Sequence, residues 1–187
     1  MSKSLDEEIF KQCLQNNRKA QEEFYNHFCR IMYAVCLRYS NNTEDANDIL
    51  QEGFIKVFGK LHQYSGKGSL EGWIKRIFIN TALEHYRVHK VYHNQSDIDY
   101  ANENPQNDFL LEKISVKEIL QVLNKMATGY RTVINLYAIE GYSHAEIAEM
   151  LGISEGTSKS QLARARQVLA NELKKLKGFE KKVERQQ

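Results

Sequence analysis

Apolar residues recur at three- and four-residue spacing along most of the chain, the period of an amphipathic helix, and no stretch calls for strands. In EDANDILQEGFIKVFGKL, residues 44–61, Ala46, Leu50, Val57 and Leu61 build a buried seam, while Asp45, Asp48 and Glu52 form an acidic stripe along one side. In GKGSLEGWIKRIFINTALEHYR, residues 66–87, Leu70, Trp73, Ile74, Ile77 and Thr81 make the inward face. Arg76, Asn80 and Arg87 line up on one side of the same helix. Periodicity lapses in NQSDIDYANENPQND, residues 94–108, which holds the only proline, Pro105, and reads as a flexible linker. Patterning resumes at Phe109 and runs through Ile114, Ile119, Val122 and Leu123, with a further helix predicted over 130–140. The expected fold is all-α, with one small helical domain over 1–93 and a second over 109–187.

The second domain contains GYSHAEIAEMLGISEGTSKSQLARAR, residues 141–166. Ser143 and Glu146 make a capping box, so a helix is predicted to start at His144. Ile147 and Leu151 share its buried face, and Gly152 suits a left-handed helix end. Ile153 is expected to drop into the core and Ser154 to cap a second helix, with Glu155 at the positive end of its dipole. Leu162, Ala165, Leu169 and Leu173 fall on one face of that helix. Thr157, Ser160, Gln161 and Arg164 point the other way, with Lys159 on the flank. This is a helix-turn-helix, whose second helix offers hydrogen-bonding and cationic side chains to a major groove. A helical hairpin with a solvated polar face is the plainer reading of the same residues.

One proline and ten glycines in 187 residues agree with a helical protein. No apolar run approaches a membrane span, and MSKSLDEEIF lacks the basic-then-apolar start of a signal peptide, so a soluble, cytoplasmic protein without membrane insertion is expected. Cys13, Cys29 and Cys36 are odd in number and not closely paired, and read as reduced core thiols. A net charge of +2 is low for a protein that must hold DNA unaided, because phosphate contacts dominate such affinities. Either the DNA binding is weak or a partner supplies most of it. Lys174, Lys175, Lys177, Lys181, Lys182 and Arg185 crowd the C-terminus, as on a solvated helix end.

No catalytic constellation is evident, so the chain is not expected to be an enzyme or to need a cofactor or metal. His85, His89 and His93 are spaced four apart, but no carboxylate or cysteine at matching spacing completes a closed metal site. The acidic stripe is a candidate docking face for a basic helix. Tyr64, Lys67, Lys75 and Tyr86 accompany Arg76, Asn80 and Arg87, the mix that single-stranded nucleic acid favours: unpaired bases stack on rings and phosphates seek cations. The loop HQYSGKG ahead of that helix can close on an extruded base. Trp73 is expected in the core.

These residues carry a family resemblance. Asp45-Ala46, Asp48, Gln51-Glu52, Phe54 and Phe58 match a D-A-x-D-x-x-Q-E-x-F-x-x-x-F run that resembles extracytoplasmic-function sigma factors of bacterial RNA polymerase, small members of the sigma-70 family. Trp73-Ile74, Ile77 and Asn80 resemble that family's W-L-x-x-I-A-x-N run, and Gly156-Thr157, Lys159-Ser160 and Ala163-Arg164-Ala165-Arg166 resemble its recognition helix. The resemblance covers about residues 20 to 175. It implies sigma region 2, a linker and sigma region 4. By that resemblance Asp45, Asp48, Gln51, Glu52, Phe54 and Phe58 dock on the beta-prime clamp helices of core polymerase. Tyr64, Lys67, Lys75, Arg76, Asn80 and Arg87 then hold the melted −10 element, and Thr157, Lys159, Ser160, Gln161 and Arg164 read the −35 element. The beta flap of polymerase and an anti-sigma factor are further implied partners.

Departures from the family pattern carry expectations of their own. Phe78 stands where a small residue is usual, and Ser158 and Gln161 replace a common Val and Arg. With few strong donors around Arg164, −35 recognition is expected to be weak and to rely on polymerase or a DNA-bound co-recruiting factor. A dimeric helix-turn-helix regulator would explain residues 141–166 equally well, but not the acidic stripe or the aromatic, cationic helix.

Overall fold

The computed structural model describes residues 2–92 and 116–183, and every regular element among them is helical. The chain divides into two compact units, Met1–Tyr92 and His93–Gln187. The expected linker at 94–108 lies outside the described residues, as do His93, Phe109 and Ile114.

The first unit contains α1 (Ser2–Leu14), α2 (Arg18–Tyr39), α3 (Thr43–Lys60), a 3-10 turn (Leu61–Gln63) and α4 (Leu70–Tyr92). Local chemistry sets the starts of its middle helices. Asn17 Oδ1 accepts from the backbone amides of Lys19 and Ala20, and Asn42 Oδ1 accepts from that of Asp45 at 2.7 Å. Helix α2 packs against α1, α3 and α4, and α3 packs against α4. The core between them holds Phe24, Phe28 and Met32 of α2, Ile49 and Val57 of α3, and Ile74, Phe78 and Ile79 of α4. The predicted seam of Ala46, Leu50, Val57 and Leu61 is buried throughout.

The inward face of α4 differs from the sequence expectation. Ile74 and Thr81 are fully buried, but Leu70, Trp73 and Ile77 are half-buried, and Phe78, Ile79, Ala82 and Leu83 fill the core. Two helices, α2 and α3, cover α4, so its buried arc is wider than one stripe and rotated toward Phe78. Phe78 fits because residue 53 is glycine: a Cβ there would stand 2.7 Å from Cδ1 of the Phe78 ring. The same ring meets Phe54 edge-on, with centroids 5.2 Å apart. The large residue at 78 and the missing side chain at 53 are therefore one packing solution. All three cysteines are free; Cys13 and Cys36 are buried and Cys29 is half-buried. Burial pushes the Cys13 thiol up to about 11 and the Cys36 thiol up to about 12, so both stay protonated at neutral pH.

The second unit contains α5 (Val116–Lys125), α6 (Thr128–Ile134), a π-helical turn (Asn135–Ile139), α7 (His144–Leu151) and α8 (Glu155–Val183). The helix expected over 130–140 thus begins earlier and widens before it ends. Amides of Glu140 and Tyr142 reach back to the carbonyls of Asn135 and Leu136, each at 3.0 Å, and the widened turn leaves Tyr137 and Ile139 exposed. Helix α7 has the predicted bounds because its signals are local. Both halves of the Ser143–Glu146 capping box form, and Gly152 ends the helix at φ 64°. Ile147, Leu162, Ala165 and Leu173 close the core of the helix-turn-helix, whereas Leu151, Ile153 and Leu169 are half-buried at its edge.

Candidate nucleic-acid and docking faces

On α3 the outward stripe is narrower and less purely acidic than the sequence implied. Asp48 and Gln51 are exposed, and Asp45 is half-buried in the first turn, where its charge faces the positive end of the helix dipole. Glu52 lies at the edge of the stripe with both oxygens engaged. Lys56 Nζ contacts Oε1 at 2.7 Å, and His85 Nε2 of α4 lies 2.5 Å from Oε2. Lys56 also reaches Glu84 Oε2 at 2.5 Å, so four side chains cross-link α3 to α4. The hydrogen bond from Lys56 is the main influence that holds the Glu52 carboxyl below its ordinary value, outweighing its partial burial. Burial alone would lower the Lys56 ammonium, but its bonds to Glu52 and Glu84 raise it.

Two phenylalanines expected on this face are placed differently. Phe54 is 4 % exposed and stacks among Tyr25, Phe58 and Phe78, so it supports the helix from behind and does not form part of an outer surface. Phe58 is half-buried at the margin, against Phe24. The side chain that sequence reading missed is Ile55, which is 72 % exposed. It lies one helical turn beyond Gln51 and two beyond Asp48, and its failure to match the Ala46–Leu50–Val57–Leu61 seam was the available signal.

The residues expected to hold an opened strand lie along α4, from Lys75 to Arg87, and in the loop before it. Lys67, Arg76, Asn80 and Arg87 are exposed, and Lys75 and Tyr86 are half-buried. Lys67 stands between Gly66 and Gly68, both at positive φ (74° and 79°), which only glycine adopts freely. Ser69 starts α4, its Oγ accepting from the Gly72 amide at 3.1 Å. Trp73 is half-buried against Tyr64, with ring centroids 5.6 Å apart, and is not a core residue. His85 engages Glu52, while the side chains of His89 and His93 lie outside the described residues.

At the start of α8 the expected reading residues are mostly held by neighbours. Ser154 Oγ accepts from the Thr157 amide at 3.0 Å and contacts Thr157 Oγ1 at 2.9 Å. Ser160 donates to the Thr157 carbonyl at 3.0 Å, Lys159 reaches Glu155 at 3.4 Å, and Arg164 Nη1 approaches the Tyr130 hydroxyl at 3.4 Å. Gln161 is half-buried. Ser158 is fully buried and lies 2.9 Å from His144 Nδ1, so it ties the start of α7 to the start of α8. His144 in turn stacks on Tyr137, over which Arg166 lies at 5.6 Å from the ring centroid.

The described residues thus present an acidic and apolar stripe on α3, a cationic strip on α4 and a polar, cationic face at the start of α8. Comparison with known proteins places the chain in a family. Residues 24–91 match the sigma-70 region 2 family model, and residues 117–169 match sigma-70 region 4. The ECF RNA polymerase sigma factor SigE of Mycolicibacterium smegmatis is 30% identical over 150 residues, which span 77% of this chain and 58% of that one. The ECF RNA polymerase sigma-E factor of Haemophilus influenzae is 24% identical over 184 residues, spanning 91% of this chain and 96% of that one. The sigma factor RpoE of Bartonella quintana, solved in complex with the anti-sigma factor NepR, shares the fold, with a TM-score of 0.52 at 22% identity over 82% of this chain and 96% of that one. No described helix is long and apolar enough to cross a membrane. The chain belongs to the extracytoplasmic-function branch of the sigma-70 family: it is a transcription initiation factor that works with RNA polymerase to select promoters, and not an enzyme.

Proposed function

We propose that α3 docks on the beta-prime clamp helices of core polymerase through Asp48, Gln51 and Ile55, with Asp45 and Phe58 at the margins and Phe54 as internal support. The loop before α4, with Lys67, Lys75, Arg76, Asn80 and Arg87, holds the opened −10 strand, and Tyr64 shapes that loop. Thr157, Lys159, Ser160, Gln161 and Arg164 face the −35 duplex, with residues 94–108 linking the two domains. One observation carries this assignment: in a single compact unit, an exposed acidic and apolar stripe on α3 and an exposed cationic strip on α4 belong to helices packed directly on each other. Docking and strand capture are then handled by one body.

Local pairing of Lys159 with Glu155 and of Arg164 with Tyr130 supports a weak −35 contact, because phosphate or base must compete with an existing partner. Region 4 then draws on the beta flap or on a DNA-bound co-recruiting factor. An anti-sigma protein is the expected regulator, as for the Bartonella quintana relative, and the cytoplasm is the site of action. The testing experiment is co-elution of the full chain with sigma-free bacterial core polymerase at moderate salt. Co-elution that Asp48→Arg abolishes in a folded protein supports the α3 assignment. Retained binding by that variant removes it.

A further inference from the structure

The loop that leads into α4 is held from outside as well as from within. Tyr64 leaves the 3-10 turn, and its hydroxyl donates to the Gly68 carbonyl at 2.7 Å, which closes residues 64–68 into a hoop around Lys67. Its ring lies between two others. Phe10 of α1 meets it edge-on, with centroids 5.6 Å apart and planes at 73°, and Trp73 of α4 meets it at 5.6 Å and 52°. All three rings are half-buried, and α1 also contacts the 3-10 turn itself. Tyr64 is therefore a clasp, gripped by two rings with its hydroxyl engaged, and not an open platform for a base.

We propose that Phe10 is a positioning residue for capture of the opened strand: it acts through Tyr64 to hold the Lys67 hoop in its receiving form. The argument rests on conformational freedom. Gly66 and Gly68 give the hoop little intrinsic bias, so an unclasped loop would have to be ordered by the strand, and that entropy would be subtracted from affinity and from the rate of opening. An edge-to-face ring contact from a separate helix removes this freedom in advance. Helix α1 thereby takes part in promoter opening through Phe10 and its contact with Tyr64.

This inference rests on the assignment of the loop and α4 as the strand-holding face. The test uses the full chain with sigma-free core polymerase and a duplex promoter recovered by run-off transcription with the wild-type holoenzyme, carrying a fluorescent base in its −10 region. Phe10→Ala is expected to slow opening by about tenfold, the upper worth of one aromatic pair, while core affinity stays within about twofold. Phe10→Leu should fall between, and Tyr64→Phe, which lacks only the hydroxyl that closes the hoop, should also slow opening at unchanged core affinity. Opening at the wild-type rate in both Phe10→Ala and Tyr64→Phe overturns the proposal. Core affinity that falls in step with opening makes Phe10 merely structural and overturns it too. A wild-type chain that binds core yet never opens DNA removes the strand-holding assignment itself, and the role of Phe10 with it.

Discussion

The outward faces of α4 and of α8 are built from similar residue types but lie at different distances from the starts of their helices. On α4, Arg76, Asn80 and Arg87 project from the middle of a long helix, away from its capping residues. On α8, Thr157, Lys159 and Ser160 stand in the first two turns, where free amides, a capping hydroxyl and an acidic first-turn residue offer partners within four positions. Position along the helix sets which local partners a side chain meets. Under the proposed assignment of these faces, a low net charge is tolerable because polymerase supplies further contacts.

The largest expected effect isolates the proposed docking helix from both proposed DNA faces. Asp48→Arg combined with Ile55→Ala should lower core affinity by about 100-fold, as loss of a charge pair plus an apolar anchor does. Titration of labelled core, with circular dichroism to verify the fold, measures this. Glu52→Gln should lower it far less, since that carboxylate is already held by Lys56 and His85. Equal losses would mean that the cross-link opens on docking.

Next in size is the packing solution beneath that helix. Gly53→Ala drives a methyl into the Phe78 ring and should cost about 1–3 kcal/mol, the usual range for overpacking. Adding Phe78→Leu should recover part of the loss, and urea unfolding of the single and double variants reads the coupling. Additive losses would separate the two positions.

The contrast between α4 and α8 can be sharpened with salt. Arg76→Ala with Arg87→Ala should reduce the slope of log affinity of the holoenzyme for promoter DNA against log salt by about 2, and Lys159→Ala by less than about 1. A larger change from Lys159 would show that its pairing with Glu155 breaks readily on DNA.

The smallest effect concerns pH. The Glu52 carboxyl is held below its ordinary value of 4.5, so its contribution to stability is present above that value and lost as pH falls through the lowered one. Lys56 is raised, so its contribution persists below its ordinary value and is lost only in strong base, as pH rises through the folded value. The stability difference between wild type and Glu52→Gln should therefore shrink in acid, as thermal unfolding between pH 7 and pH 3 would reveal. A constant difference would place the effect of Glu52 in packing and not in charge.

Much of the fold was legible because helix ends are written locally. The capping box at Ser143, the left-handed Gly152 and the cap at Ser154 each depend on residues within four positions, and all three formed where the pattern predicted. Periodicity also located the α3 seam. It failed on α4, where a single-stripe reading placed Trp73 and Ile77 inward and overlooked Phe78, because periodicity does not say how many neighbours will cover a helix. It failed again at Asn135, where a wider hydrogen-bonded turn replaced the expected helix end.

The sequence by itself determined the helical class, the starts and stops of the helix-turn-helix, and which residue types could meet polymerase and DNA, since these follow from spacing and neighbouring chemistry. Only the tertiary structure decided which of those residues remain exposed. Phe54 went inward, Ile55 outward, and Tyr64 became a clasp; Glu52 met a histidine 33 residues away. The reason is that each outcome depends on how distant elements pack, and no local spacing records which face of a helix its neighbours will cover.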